Sequence, residues 1–399
     1  MNTAPIQLLL VEDNPVDARV AQSILRSLPE ELPVLTHWVD TAEKAVAELQ
    51  ASKYELLLLD YQLPHATGLD VLAAIRRLPE SCQPAVIMLT ASGSEKIAVE
   101  AMKNGARDYL RKEELDVAPL TRAIMSALSQ KRLQEQVNAY LVQTQAELKM
   151  AHHLQHALLP QQFPLFPPTA SPDTTRLRFE ARYISTTELG GDFYDVFPLS
   201  ETTAGIFVCD VMGHGVRAAL VTALIRGLLE ELHGMAHDPS QLLAGINHGL
   251  STILRATEEP LFATAVYLVA DIAAQELRYA NAGHPAPLHL QKQSARVEPL
   301  TPPPLGGSLA LGMIEQTTYP TTVTRLAAGD RLLLFTDGIY EVFDAQQEEF
   351  GKERLLAAAR QAGAAPVEQW LDNVIGASQA FSASGNFSDD VCLLAVEFR

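Results

Sequence analysis

The stretch ELLLLD at residues 55–60 decides the fold of the first part of the chain. A short apolar run of this kind is typical of a strand that is buried on both faces of a parallel sheet. Asp60 then stands at the carboxyl end of that strand, where open α/β sheets place their functional side chains.

Strand-like and helix-like segments alternate around this stretch, through about residue 118. Alternation of this kind predicts right-handed βαβ units on a doubly wound parallel sheet. The strand-like segments are residues 6–11, 34–39, 56–60, 85–90 and 108–110, and the helix-like segments are residues 17–28, 42–51, 69–78 and 98–104.

Polar side chains are expected together at the carboxyl edge of this sheet. Glu12 and Asp13 follow the first strand, Asp60 ends the third, Thr90 ends the fourth and Lys112 follows the fifth. Three carboxylates suit a hard cation such as Mg²⁺, and a lysine with a hydroxyl can neutralise phosphoryl oxygens. Asp60 is the expected nucleophile.

These residues lie in LLLVEDNPVDA (8–18), LLLLDYQLPHATGLD (56–70), VIMLTAS (86–92) and GARDYLRKEE (105–114), which resemble the receiver domain of bacterial response regulators. The resemblance implies that Asp60 accepts a phosphoryl group from a histidine kinase or another phosphodonor. It makes Glu12 and Asp13 the Mg²⁺ ligands beside Asp60, and Thr90, Tyr109 and Lys112 the switch residues. Glu113 stands where the family commonly has a proline, which bears on the local turn and the partner surface.

Residues 119–160 are predicted to form a helical linker between two domains, 1–118 and 161–399. The composition from residue 120 to 158 favours a long helix, and a heptad-like seam runs along it. The seam predicts a homodimer, with a break in register near residues 130–133; the alternative is that it packs against the chain's own domains. His152, His153 and His156 are interpreted as polar positions of the helix rather than a metal cluster. The seam residues are Val137, Leu141, Thr144, Leu148, Ala151, Gln155 and Leu158.

The last domain is predicted to be an α+β sandwich of two packed sheets flanked by helices. Its helices are expected at residues 216–232 and 240–254, with an apolar stripe of Leu220, Leu224 and Leu228 on the first. Its strands are expected at residues 177–184, 193–198, 205–210, 262–271, 276–281, 287–291, 331–336 and 391–398.

Acids recur at strand ends of this domain, in GGDFYD, CDVMGHG, FTDG and NFSDD. Oxygen ligands without nearby cysteine or paired histidine suit Mg²⁺ or Mn²⁺ rather than Zn²⁺. Such a set can hold two divalent ions that activate a water for in-line attack on a phosphoryl group. The acids are Asp192, Asp195, Asp210, Asp337, Asp389 and Asp390.

The phrases LQHALLP, ELGGDFYD, DVMGHG, NAGHP, FTDGIYE and SDDV resemble the bacterial branch of metal-dependent protein phosphatases related to protein phosphatase 2C. The resemblance implies that Asp192 and Asp210 bridge two metals and that Val211 offers its backbone carbonyl. Asp337 completes the site together with Asp389 or Asp390. His214 is a candidate to orient water or to protonate the leaving serine oxygen. The implied substrate is a phosphoserine or phosphothreonine of an anti-anti-sigma-type protein.

The composition of the chain limits the kinds of partner and cofactor that we expect it to bind. The net charge of −18 argues against nucleic-acid binding, and three distant cysteines support neither a disulfide framework nor a zinc site. We find no apolar run of membrane-spanning length and no signal-peptide pattern, so we expect a cytoplasmic protein without a membrane partner.

Together the motifs predict a phosphorylation-controlled, metal-dependent serine/threonine phosphatase. One alternative is a receiver-controlled adaptor that binds a partner through a non-catalytic phosphatase fold. Another is a constitutive phosphatase whose receiver only docks a partner.

Overall fold

A computed structural model describes residues 4–91, 95–255, 261–301 and 309–399. The chain forms two compact units, Met1–Thr144 and Gln145–Arg399. None of the described helices combines the length and the apolar character needed to cross a membrane.

The first unit is built on a five-stranded parallel sheet, as the sequence predicts. Its strand order is β2-β1-β3-β6-β7, and β4 and β5 form a separate two-stranded hairpin. The strands are β1 (Ile6–Val11), β2 (Val34–Val39), β3 (Leu56–Asp60), β4 (Gln62–Leu63), β5 (Ala66–Thr67), β6 (Ala85–Thr90) and β7 (Asp108–Arg111). The helices are α1 (Pro15–Arg26), α2 (Ala42–Ala51), α3 (Gly68–Ile75) and α4 (Glu95–Lys103), followed by α5 (Val117–Leu158).

The buried strand β3 stands in the centre of this sheet, and all five of its residues are buried. Helix α1 starts two residues earlier than predicted because Asn14 caps it: its side chain accepts a hydrogen bond from the Val16 N–H, and Pro15 occupies the first turn. These local signals place Glu12 and Asp13 between β1 and α1.

Helix α5 is 42 residues long and continues without interruption through residues 130–133. It begins three residues before the predicted start, since Pro119 lies in the first turn, where a missing N–H costs no intrahelical hydrogen bond. Val137 and Leu141 of the predicted seam are exposed.

The second unit contains two five-stranded sheets with the orders β15-β12-β11-β10-β9 and β14-β13-β16-β17-β8. The strands are β8 (Leu177–Ile184), β9 (Asp192–Pro198), β10 (Thr203–Val211), β11 (Ala263–Asp271), β12 (Glu276–Ala282), β13 (Leu288–Gln291), β14 (Arg296–Pro299), β15 (Thr322–Arg325), β16 (Arg331–Phe335) and β17 (Val391–Phe398). The helices are α6 (Val216–Glu231), α7 (Pro239–Leu254), α8 (Gly351–Ala362) and α9 (Val367–Phe381).

The two sheets pack face to face, which confirms the predicted sandwich. Along β16, Leu332 and Leu334 join a core shared with the first sheet, whereas Leu333 and Phe335 join a second core with α8 and α9. This alternation is the period of a strand that is covered on both faces. Cys209 and Cys392 are buried free thiols.

The predicted apolar stripe on α6 is confirmed for Leu224 and Leu228, which pack against the core, and is wrong for Leu220. Leu220 is 61% exposed, and the buried face carries Ala218, Val221, Ile225 and Leu229. The helix is apolar on more than one side, so its periodicity did not identify the buried side. The sequence analysis also did not place β14, β15, α8 and α9.

Candidate functional site

The first candidate site is the acidic edge of the parallel sheet. Glu12, Asp13 and Asp60 offer oxygens that lie within 4.8 Å of one another, which is the single cluster of this kind in the described part of the chain. Glu12 and Asp60 are buried, whereas Asp13 is exposed. The three residues that the sequence assigned to one cation site are therefore brought together.

Lys112 reaches into this cluster and contacts both buried acids. Its Nζ lies 2.7 Å from Glu12 Oε2 and 2.8 Å from Asp60 Oδ2. Burial raises the pKa of Glu12 to about 7, against the opposing effect of the Lys112 hydrogen bond, and burial also raises the pKa of Asp60. Burial alone would lower the pKa of Lys112, but hydrogen bonds to Asp60 and Glu12 outweigh it and raise that pKa.

The predicted switch residues lie on the neighbouring strands. Thr90 ends β6 and is buried; the residue before it, Leu89, pairs with Asp60. Tyr109 lies on β7 and is 42% exposed. A 3₁₀ turn at Lys112–Glu114 follows β7, so Glu113 is accommodated without the proline that is common there.

The second candidate site lies between the two sheets of the C-terminal unit. Asp192 of β9 is paired with Asp210 of β10, and Asp210 is paired with Thr264 of β11. Directly paired residues of antiparallel strands project from the same face of a sheet. That face is the one toward the second sheet, because Thr336 at the end of β16 donates its hydroxyl to Asp192 Oδ2 at 2.6 Å.

The second sheet brings further acids to the same end. Asp337 follows β16 in a short 3₁₀ turn, and Asp389 and Asp390 precede the neighbouring strand β17. Burial, and then the charges of Asp337, Asp389 and Asp390, raise the pKa of Asp210 to about 7. The predicted acids are thus near enough to repel one another.

Asp192 and Asp337 show the same effect. Burial, followed by the charge of Asp210, raises the pKa of Asp192 well above its ordinary value. Burial and the charge of Asp389 raise the pKa of Asp337. Each carboxyl group therefore resists ionisation unless positive charge is supplied.

These acids do not form a set of three within 4.8 Å, unlike those of the receiver-like sheet. A cage for two ions is wider than a site for one. With ions about 4 Å apart and oxygens about 2 Å from each, ligands at opposite ends lie about 8 Å from one another. The spread of the acids is compatible with a two-ion site.

Asp389 and Asp390 have different surroundings. Asp390 is 3% exposed, and its Oδ1 accepts hydrogen bonds from Ser185 Oγ and Thr186 N, while its Oδ2 accepts one from Gly191 N. Asp389 is exposed, and its Oδ1 accepts a hydrogen bond from the Asp390 N–H. The oxygens of Asp390 are already occupied in holding the loop before Asp192.

Two glycines keep the backbone close at this site. A Cβ on Gly191 would lie 2.6 Å from the Val211 carbonyl oxygen, and a Cβ on Gly338 would lie 2.0 Å from the Asp390 carbonyl oxygen. Any side chain at either position would move the strand ends that carry the acids. The Val211 carbonyl, predicted to be a ligand, lies close to the Gly191 backbone because glycine has no Cβ there.

His214 is exposed, in the loop between β10 and α6. Gly213 and Gly215 flank it with φ of +84° and +87°, values that favour glycine. The structure joins its ring to no described residue by a hydrogen bond, and the side chain is exposed.

Three polar residues at this end were quoted within motifs but given no role. Thr336 orients Asp192 and accepts a hydrogen bond from the Cys392 N–H. The charge of Glu341 acts on Asp210. His284, from the NAGHP phrase, is buried and bonds to Thr264. In the sequence, the only feature that marks these three residues is their position near the ends of apolar strands. That feature alone does not indicate a role.

The donor set fits hard divalent cations. It consists of carboxylate oxygens with a backbone carbonyl. Burial raises the pKa of both buried cysteine thiols of this unit, which disfavours their thiolate form as a ligand. The carboxyl groups of Asp192, Asp210 and Asp337, whose pKa values are raised, require positive charge to ionise together. The charge of Lys352, which lies over the Tyr340 ring, opposes the rise in the pKa of Asp337 but does not outweigh burial and the charge of Asp389.

The end of α5 packs against the loop that precedes Asp192. Gln155 Nε2 donates to the Gly190 carbonyl at 2.7 Å, and Gln155 Oε1 accepts from the Gly190 N–H at 3.1 Å. His152 Nδ1 lies 2.7 Å from the Glu188 carbonyl oxygen. Leu158 packs against the core of this unit. The last part of the predicted seam thus contacts the chain's own domain.

A parallel sheet with an acidic edge and a two-sheet sandwich with acids at one end define a two-domain signalling protein. The chain belongs to the stage II sporulation protein E (SpoIIE) family, whose model matches residues 200–399. The response regulator receiver domain matches residues 8–125. A receiver domain is therefore followed by a phosphatase domain of the protein phosphatase 2C type.

Curated relatives match each half separately. Phosphoserine phosphatase RsbP of Bacillus subtilis is 27% identical over 227 residues, which cover 56% of this chain and 53% of that protein. Phosphoserine phosphatase RsbU of the same organism is 25% identical over 196 residues, 49% of this chain and 54% of that protein. Regulatory protein LuxO of Vibrio cholerae is 36% identical over 103 residues, 26% of this chain and 21% of that protein.

The chain spans about half the length of the two phosphatases that it matches. Among solved structures, the SiaA-PP2C domain of Pseudomonas aeruginosa superposes with a TM-score of 0.56 at 22% identity, covering 65% of this chain and 99% of that one. This likeness supports the fold of the C-terminal unit.

Proposed function

We propose that this chain is a phosphorylation-regulated, metal-dependent phosphatase that acts on phosphoserine or phosphothreonine of a protein, of the anti-anti-sigma type. The observation that carries the proposal is the row of Asp192 and Asp210 between two sheets, with Asp337 and Asp389 at the same end. Relatives named phosphoserine phosphatases support the same reaction.

Asp192, Asp210, Asp337, Asp389 and the Val211 carbonyl are the groups that would hold two Mn²⁺ or Mg²⁺ ions. Bound divalent ions supply an activated water and charge compensation for a phosphoryl group. Between the two neighbouring acids, the proposal takes Asp389, since the oxygens of Asp390 accept hydrogen bonds from the β8–β9 loop.

The chain's own residues prepare the site for the substrate. Thr336 fixes one oxygen of Asp192, and Gly191 and Gly338 let the backbone come close. His214 stands on an exposed turn beside Asp210, where its imidazole can donate a proton to the leaving serine oxygen.

In the receiver domain, Asp60 is the proposed phosphoacceptor, with Mg²⁺ held by Glu12, Asp13 and Asp60. The Lys112 ammonium, already bound to Asp60, would then meet the added phosphoryl charge. Thr90 and Tyr109 are the proposed switch residues, and a histidine kinase or another phosphodonor is the proposed partner.

The proposed link from receiver to phosphatase is α5, which ends on the loop before Asp192. Gln155 binds both backbone groups of Gly190, two residues before that acid. A change in the helix would therefore bias the position of the loop. The exposed Val137 and Leu141 support a homodimer through the earlier part of the seam.

The test of the enzymatic proposal is phosphate release from a phosphoserine peptide in the presence of Mn²⁺. We expect release that requires Mn²⁺ and falls at least about 100-fold in Asp210→Asn, the scale of losing a principal electrostatic group. Asp271→Asn is the matched control, since Asp271 ends β11 and accepts a hydrogen bond from Ala274 N.

Equal release from wild type and Asp210→Asn would contradict this site. No Mn²⁺-dependent release from the wild type, together with binding of a phosphoprotein, would favour the adaptor that lacks catalysis. The substrate class is tested by identifying the phosphorylated proteins that immobilised Asp210→Asn retains. We expect an anti-anti-sigma-type protein among them. The class would be rejected if no retained protein of this type were dephosphorylated by the wild type.

A further inference from the structure

His284 lies where the chain crosses from one sheet of the phosphatase domain to the other. β12 ends at Ala282 in the first sheet, and β13 begins at Leu288 in the second. The crossing segment starts beside β11, where Gly283 forms a bridge with Ala265. His284 is therefore at the end of the sandwich that carries the acids.

The His284 ring spans the gap between the sheets. Nδ1 lies 2.9 Å from Thr264 Oγ1, and Thr264 is the residue paired with Asp210. On the other side, the Phe335 backbone acts on the ring as an acceptor, two residues before Asp337. No described group meets Nε2 with full hydrogen-bond geometry, although this nitrogen is buried.

The backbone of His284 is held at both of its polar groups. Asn281 Oδ1 accepts from the His284 N–H at 2.8 Å, and Asn281 Nδ2 donates to the His284 carbonyl at 2.9 Å. Gly283 between them has a φ of +75°, which glycine adopts without strain. The turn thus presents the ring in one orientation.

The imidazole ring of His284 is uncharged at neutral pH. Burial lowers the pKa of His284 to about 3, so the imidazole carries one proton at neutral pH. A neutral imidazole has one donor nitrogen and one acceptor nitrogen, and Nδ1 shares a hydrogen bond with the Thr264 hydroxyl.

We propose that His284 is a positioning residue that sets the separation between the Asp210 side and the Asp337 side of the acid site. The proposal rests on the proposed phosphatase function. Because the two acids belong to different sheets, their spacing depends on groups that tie the sheets together at this end. Partners that orient metal ligands typically alter metal affinity or activity about 10- to 100-fold when they are removed.

His289 provides a matched comparison in the same domain. It is also a buried histidine, on β13, and its Nε2 lies 3.0 Å from Asp330 Oδ2. Asp330 precedes β16, at the opposite end of that strand from Asp337. Replacing His289 therefore tests the loss of a buried, hydrogen-bonded histidine without a change at the acid site.

The experiment compares His284→Phe with His289→Phe in the full chain, each of which fills the site with an apolar ring. Mn²⁺ binding is measured by calorimetry, together with kcat and KM for a phosphoserine peptide. We expect His284→Phe to weaken Mn²⁺ binding about tenfold and to lower kcat more than it changes KM. His289→Phe should leave Mn²⁺ binding within about twofold of wild type.

Thr264→Val is the second variant, and it decides the matter if His284→Phe does not fold. It removes only the hydroxyl that contacts Nδ1, and we expect a loss in Mn²⁺ affinity of the same direction. The receiver site is common to all these proteins, so a difference reports the phosphatase domain.

Unchanged Mn²⁺ affinity in folded His284→Phe, or in Thr264→Val when His284→Phe does not fold, would overturn the proposal. An equal loss in His289→Phe would also overturn it, because the effect would then be general destabilisation. Failure of the phosphatase function itself would show differently, as a wild type that releases no phosphate with Mn²⁺.

Discussion

Asp389 and Asp390 are neighbours in the chain, but only Asp390 is enclosed by hydrogen-bond donors. Asp390 binds the Thr186 and Gly191 N–H groups, whereas Asp389 is exposed and accepts from the Asp390 N–H. The two carboxylates therefore differ: Asp390 holds the loop before Asp192, and the charge of Asp389 acts on Asp210 and Asp337.

We expect Asp389→Asn and Asp390→Asn to fail in different ways. Asp389→Asn should lose Mn²⁺ affinity, measured by calorimetry, while its thermal stability in EDTA stays at or above that of wild type. Asp390→Asn should lose about 1–3 kcal/mol of the free energy of unfolding, because one amide oxygen cannot replace two carboxylate acceptors. Reversal of this pattern would exchange the two roles.

The metal-free phosphatase domain should become less stable as the pH rises. The pKa of Asp210 is about 7 in the folded chain and 3.8 ordinarily, so between these values the folded state holds a proton that the unfolded state lacks. The free energy of unfolding then decreases as pH rises through this window. Thermal unfolding in EDTA at pH 5.5 and 8 should show this decline.

Asp210→Asn is the control for that pH dependence, because it removes the titrating group. Its decline in melting temperature between the same pH values should be smaller than that of wild type by a few degrees. The pKa values of Glu12, Asp192 and Asp337 are raised in the same direction, and these three groups remain in Asp210→Asn. Parallel declines in both proteins would contradict the assignment to Asp210.

Gly338 should not tolerate a side chain. A Cβ there would lie 2.0 Å from the Asp390 carbonyl oxygen, whereas a Cβ on Gly376 in α9 would meet nothing within 4 Å. We expect Gly338→Ala to destabilise the protein by several kcal/mol in urea unfolding and to abolish activity. Gly376→Ala, in a helix interior, should be neutral or stabilising by up to about 1 kcal/mol.

Lys112→Met should remove the response to phosphorylation at Asp60. The ammonium contacts both Glu12 and Asp60, and it is the group that would meet the added phosphoryl charge. We expect beryllofluoride, an acyl-phosphate mimic, to change the phosphatase rate of wild type and to leave that of Lys112→Met unchanged. Lys44→Met is the control, since Lys44 forms an exposed pair with Asp40 on the same domain.

Gln155→Ala should weaken the same response from the other end. It removes two hydrogen bonds to Gly190, so the loop before Asp192 would no longer follow the helix. Gln145 is exposed on the same helix, and Gln145→Ala should respond to the mimic as wild type does. An undiminished response in Gln155→Ala would show that the signal reaches the phosphatase domain by another route.

The sequence predicted the elements whose apolar runs end in a marked turn. The bounds of β1, β2, β3, β6 and α2 agree with the structure to the residue. In these segments, strand period and caps coincide with tertiary burial. The pairing of Asp192 with Asp210 likewise follows from two strand ends that the motifs had already placed.

Other features depend on contacts that a single sequence does not contain. Leu220 and Val221 are adjacent apolar residues of α6, and only packing against the sheet decides that Val221 is buried. Asp389 and Asp390 are the same residue type, and their difference comes from donors about 200 positions away in the chain. The role of Gln155 could not be predicted either, because it depends on the contact between this side chain and the loop before Asp192.

The Thr336 hydroxyl orients the carboxylate of Asp192. Its oxygen accepts the Cys392 N–H at 2.9 Å and lies 2.6 Å from Asp192 Oδ2. The hydroxyl oxygen uses a lone pair for the amide and donates its proton to Oδ2. Oδ1 is thereby the Asp192 oxygen that Thr336 leaves unengaged, and the hydrogen bond to Oδ2 restricts the rotation of this carboxylate.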